Sequence, residues 1–244
     1  MLSTAQLPGF SWLVFVSLLA ILAAAAGMFV VLSRRWTSTR LVVELERWGR
    51  ENGFRVRGVG GEWWAWIREK FPPAEAGPPG GIPAPAPFDH VPGIETRWLI
   101  TSDDTTIAQI QSAIPPVGAE PRPMMRWNIL IREMKWNWPT VVLRPAEQPN
   151  SIFDLLQLTH LPTTIGQDRF TVLGQGSRGL RRLERVPLVG IIPADIGLML
   201  AGPYLVIEFT SRPFDRIELG RMLALADQLA QLEALHLYDA VTAR

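Results

Sequence analysis

The chain has 244 residues, no cysteine, three histidines and a formal net charge of +1. Without cysteine there are no disulfides, thiolate metal sites or thiol nucleophiles. A balanced charge gives no global field to gather nucleic acid, so no nucleic-acid partner is expected. Only Lys70 and Lys135 among the 24 basic residues are lysine, which is the mark of a GC-rich coding bias and not of a binding surface.

Residues Phe10–Leu32 (FSWLVFVSLLAILAAAAGMFVVL) carry no charge, and the first charged side chain is Arg34. At about 1.5 Å per residue this stretch is long enough, as a helix, to cross a hydrocarbon core of about 30 Å. It predicts a transmembrane helix over 10–33 behind a short external N-terminus, 1–9. A cleaved signal peptide would need a basic leader and a shorter apolar core. Trp12 and Trp36 bracket the run, as suits the two membrane interfaces, and Arg34 and Arg35 open an arginine-rich flank. The positive-inside bias places the C-terminal bulk in the cytoplasm. Ser17, Ala20, Ala24 and Gly27 share one side of this helix. Small residues let helices approach closely in lipid, so that side is a candidate packing face for another transmembrane protein.

The predicted juxtamembrane part, 34–71, starts with a helix over Ser38–Asn52, with Leu41, Leu45 and Trp48 on one face and Gly53 as a stop. Phe54–Gly58 reads as a short strand. In GGEWWAWIREKF the residues Trp63, Trp66, Ile67 and Phe71 fit either an interfacial amphipathic helix or, preferably, an aromatic core element. Residues 72–93 are rich in Pro, Gly and Ala and read as a loop.

Residues 94–244 read as an α+β cytoplasmic domain with mainly antiparallel strands. Thr96–Thr101 is a predicted strand. Ser102 or Asp103 is positioned to cap a helix carrying Ile107, Ile110 and Ile114. Arg126–Glu133 alternates and is followed by Trp138–Arg144, which together suggest an antiparallel hairpin with one wet face. Asn150 is placed to cap a short helix through Leu158, and Pro162–Gly166 reads as a turn. Arg169–Leu173 is a strand, followed by a glycine-rich turn and a basic helical turn. Pro193 is placed to start a helix ending near Gly202. Tyr204–Thr210 is a strand, and Asp215, with Glu218, caps a long C-terminal helix lined by Met222, Leu225, Ala226, Leu229 and Leu232.

Two motifs bear on function. Gly174, Gly176 and Gly179 fit G-x-G-x-x-G after a predicted strand, with Asp195 near the place of a ribose-binding acid. The helix that follows is short and arginine-rich where a crossover helix needs an apolar stripe, so a plain turn is the preferred reading and a nucleotide site the alternative. Arg178, Arg181, Arg182 and Arg185 fall at i, i+3, i+4 and i+7, on one side of a helix. They offer contact to anionic lipid headgroups or an acidic partner, against a solvated face. The chain has no P-loop, HExxH or G-x-S-x-G, and the histidines lack metal-ligand spacing. No cofactor, metal or enzymatic activity is expected.

The N-terminal span, the LERWGRENGF helix and the block DRFTVL…VPLVGIIPADIGLMLAGPYLVIEFTSRPFD resemble uncharacterised single-span, membrane-anchored proteins of GC-rich bacteria, over residues 10–58 and 168–232. The resemblance implies a domain anchored in the bacterial inner membrane and brings no catalytic residues with it. Together these readings describe a non-enzymatic accessory or assembly subunit of a larger membrane complex.

Overall fold

The computed structural model describes the backbone of residues 9–58, 84–112 and 125–242, and their side chains except at 9–14, 25–26, 29–39, 58 and 233–242. The aromatic stretch 60–71 and most of the 72–93 loop lie outside the described residues. The chain divides into two compact units, Met1–Glu44 and Leu45–Arg244. Helix α1 runs Gly9–Glu51. Its apolar run has no Pro, and its alanines and leucines are strong helix formers.

The second unit is mixed α+β with a mainly antiparallel sheet. Strand β1 (Arg55–Gly58) pairs with β2 (Ile94–Thr101), β2 with β3 (Thr105–Ser112), and β3 with β4 (Arg126–Pro145). The far half of β4 pairs with β6 (Phe170–Gly174), which pairs with the two-residue β5 (Thr159–His160). Strand β7 (Gly197–Glu208) pairs with both halves of β4. The last two turns of α1 close on β1. Leu45 is fully buried, Trp48 stacks on Phe54 at 5.4 Å, and a Cβ on Gly49 would stand 2.5 Å from Val56 Cγ2.

The β4–β7 pair is the centre of the sheet. Glu133 is opposite Tyr204 and Trp138 opposite Gly202, so β4 spends five steps where β7 spends two. A Cβ on Gly197 would stand 3.3 Å from the Cβ of Glu208, eleven residues on. A straight strand would hold those residues about 36 Å apart. Strand β7 therefore doubles back at Gly202–Pro203, where Gly202 has φ +55. Glycine in the first position of a two-residue loop suits the twist of a hairpin. The two halves of β7 lie inside and the two halves of β4 outside, with residues 134–137 bridging across the hairpin tip.

Both faces of this sheet are covered. On one, Ala108, Ile110, Trp127, Ile129, Ile131, Val142, Met199 and Val206 pack with Phe88, Ile152 and Phe153. Against the other lies α3 (Arg216–Thr242), with Leu219, Met222, Ala226 and Leu229 buried and Asp227 bonded to Arg132 of β4. Asp215 caps α3, its Oδ1 accepting from the N–H groups of Ile217 and Glu218 at 3.0 Å each.

Four local expectations are corrected. The helix expected after Ser102 and Asp103 is strand β3. Ile107, Ala108 and Ile110 are all buried, because a strand covered on both faces loses its alternation and its isoleucines fall by chance at a helical spacing. Ile114 lies outside the described residues. Arg126–Glu133 and Trp138–Arg144 are antiparallel but are not hairpin partners, since the β7 hairpin stands between them. The expected wet face is covered at Asn128 and Leu130, while Arg126 at its start stays exposed. Leu130 is fully buried, and Asn128 accepts from Gln109 Nε2 and donates to the Arg212 carbonyl, both at 2.9 Å. The helix expected from Pro193 to Gly202 is a turn over residues 193–196 followed by the first arm of the β7 hairpin. The short helix expected at Asn150 is a 3-10 turn, Ile152–Leu155, capped by Ser151, while Asn150 has φ +59.

Candidate functional site

Four places carry chemistry. The first is the apolar run of α1. Ten consecutive residues, 15–24, point in every direction around a helix at 100° per residue, and all ten are exposed. Val16 is 46% exposed and Ile21 65%, and Met28 is 66% exposed. Ser17, Ala20, Ala24 and Gly27 are exposed as well, and a Cβ on Gly27 would meet nothing within 4 Å. Trp12, Arg34, Arg35 and Trp36 lie on the helix, but their side chains are outside the described residues. Among the described residues no helix is long and apolar enough to cross a membrane.

The second is the glycine turn, Gly174–Gly179. It leads from β6 into α2 (Ser177–Leu183), a helix of seven residues. Both neighbours of β6, β4 and β5, are antiparallel to it. A Cβ on Gly174 would stand 2.8 Å from Thr140 O, and one on Gly179 2.9 Å from Val141 Cβ. The close approach these glycines permit is thus made by β4. Gly176, at φ +85, turns the chain into the helix with open space around it. Asp195 is not beside the turn's glycines in any contact. Its carboxylate receives Arg212 Nε at 2.7 Å and Nη2 at 2.9 Å, and Ser211 Oγ at 3.2 Å. The Arg212 guanidinium holds the Asp195 carboxyl below the usual carboxylate range, and the hydrogen bond to Asp195 raises Arg212 in turn.

The third is the arginine set beside that turn. Arg182 lies over the Trp138 ring at 4.0 Å and donates to Asn137 O at 3.0 Å. Arg181 donates to Ser177 Oγ at 3.1 Å. Arg178, Arg181 and Arg185 are exposed. The four do not act as one face, because α2 ends at Leu183 and Arg182 is folded back onto the sheet.

The fourth was not singled out from the sequence. Glu208, fully buried on β7, accepts at Oε1 from Gln148 Nε2 (2.8 Å), the Ile152 N–H (3.0 Å) and Thr210 Oγ1 (3.0 Å), and at Oε2 from Ser151 Oγ. Every donor is neutral, so burial dominates and pushes the Glu208 carboxyl up despite four hydrogen bonds. The signal in the sequence was an acid inside an apolar strand, YLVIEFT, since such a group demands partners. Next to it Arg144 pairs with Asp154 at 2.6 and 2.9 Å, which raises the arginine. The cluster fastens residues 148–154 over the core, with Glu208 and Ser151 buried. Among the described residues no group of three or more His, Asp or Glu is placed to hold a metal ion.

The fold is therefore a mixed α+β domain built on a mainly antiparallel sheet, following a helix whose apolar run is exposed among the described residues. No family model and no curated protein matches the chain. A solved structure, that of the mycobacterial trehalose monomycolate transport factor A, TtfA, is similar at a TM-score of 0.45 and 12% identity, over 79% of this chain and 93% of that one. At that level neither a shared family nor a shared activity follows.

Proposed function

We propose that this protein is a non-enzymatic, membrane-anchored interaction protein, an accessory or assembly subunit of a larger complex in the bacterial inner membrane. The observation that carries the reading is the exposed apolar run of α1. A helix that is apolar all round needs burial in protein or in lipid, and among the described residues 16–24 are all exposed. The uncharged stretch extends beyond them to Phe10 and Leu32, which supplies the length a span needs. The arginine flank from Arg34 supports an orientation with the N-terminus outside and the sheet domain in the cytoplasm. Ser17, Ala20, Ala24 and Gly27 are the residues through which a second span would pack.

Purification of the tagged chain in mild detergent tests this reading. The expected result is a co-purifying membrane protein, lost when Ala20 and Ala24 are replaced by Leu. A lone monomer from the same membranes would contradict it.

A further inference from the structure

We propose that α2 and the β4 connector beside it form a peripheral contact for anionic lipid headgroups. The proposal rests on the anchored reading above and names the surface that the sheet domain offers to the membrane. The turn is rigidly mounted. Gly179 brings it against Pro139–Val141 of β4, and Arg182 clamps it through the Trp138 ring and the Asn137 carbonyl. That mount leaves Arg178, Arg181 and Arg185 exposed, and among the described residues none of them makes an ion pair with an acid. Exposed Lys135 and half-buried Trp136 lie on the connector next to Asn137. Cations with an aromatic side chain are the composition that suits the headgroup region.

A protein partner fits this patch less well. Protein interfaces rely on buried apolar anchors. In the second unit the exposed large apolar side chains among the described residues are Leu155 and Ile217, and neither is on α2 or the connector. A headgroup surface needs charge alone. Each basic residue near such a surface strengthens the contact about fivefold, so the three exposed arginines together contribute roughly a hundredfold.

The chain has no cysteine, so Gln175→Cys, exposed at the start of the turn, takes a single spin label. The full chain is placed in nanodiscs of phosphatidylcholine, with and without phosphatidylglycerol, and collision of the label with an aqueous nickel chelate is measured. The expected result is a severalfold loss of aqueous accessibility in the anionic discs only. It is reversed by high salt and by R178E/R181E/R185E. Equal accessibility in both discs would overturn the proposal, as would protection that survives the triple substitution or needs an added protein. Co-elution with the disc scaffold separately reads the anchor. If the chain fails to enter discs, that reading falls, and flotation with phosphatidylglycerol against phosphatidylcholine vesicles decides the headgroup contact by the same triple variant.

Discussion

Replacing Glu208 separates the shape of its site from its charge. Its Oε1 accepts three hydrogen bonds and its Oε2 faces only Ser151 Oγ. Ser151 Oγ also accepts from the Phe153 N–H at 3.2 Å and retains capacity for a second donor. Glu208→Gln keeps the acceptor at Oε1 and offers an N–H to Ser151, as the protonated acid would. Glu208→Ala instead strands the buried Ile152 N–H and Gln148 amide and opens a cavity. At about 1–3 kcal/mol for each stranded donor, the alanine variant loses on the order of 3–5 kcal/mol. The glutamine variant stays within about 1 kcal/mol of the parent at neutral pH. The pH dependence has a definite sign. Burial raises the folded carboxyl above its ordinary value, about 4.3 in the unfolded chain. Between those two values the unfolded chain has lost the proton and the folded chain keeps it. Stability therefore falls as pH rises through that window, by about 1.4 kcal/mol per unit, and Glu208→Gln flattens the slope. Urea unfolding of the detergent-solubilised chain, followed by tryptophan fluorescence from pH 4 to 8, measures both effects. A glutamine variant as unstable as the alanine variant at pH 7, or an unchanged slope, would refute the account.

Other consequences are independent. Gly197→Ala forces a Cβ to within 2.7 Å of Phe153 Cε2 and 3.3 Å of the Glu208 carboxylate, and a loss of about 1–3 kcal/mol in the same unfolding assay is expected. Among the described residues Arg212→Ala leaves the buried Glu218 carboxylate paired with Arg221 alone, at 3.2 Å, so a loss of about 2–3 kcal/mol is expected. Asp195→Asn is milder, about 1 kcal/mol or less, because Asp195 is 47% exposed and screened. Its contribution is present above the ordinary aspartate value and is lost as pH falls through the lowered folded value, so the asparagine and parent curves converge in acid. Saturating ATP or NAD should leave the melting temperature unchanged. A rise abolished by Gly176→Val would revive the nucleotide reading.

The ends of the sheet domain were easier to read than its middle. Asp215 announces α3 because a carboxylate cap works through bonds two and three residues away. Strands β1, β2 and β6 are short and flanked by turn residues. The centre failed for one physical reason, which is burial on both faces. Ile107, Ile110 and Leu198–Leu200 show no two-residue alternation because neither side of the sheet meets water, and their spacing then imitates a helix. The Gly202–Pro203 pair between two apolar runs was the available hairpin signal, and it was masked by reading Pro193 as a helix start. Glu208 meets Ser151 across 57 residues, a contact that no local pattern carries. The arginine spacing was legible, but not that Trp138, 44 residues earlier, would draw Arg182 out of the set.

The anchored reading is tested most directly by topology in intact cells. Because cysteine is absent, Thr4→Cys and Glu147→Cys each give a single thiol for a membrane-impermeant maleimide. Labelling is expected at position 4 from outside and at the exposed position 147 only after the inner membrane is opened. Equal labelling of both, or recovery of the chain in the fraction free of membrane, would contradict it.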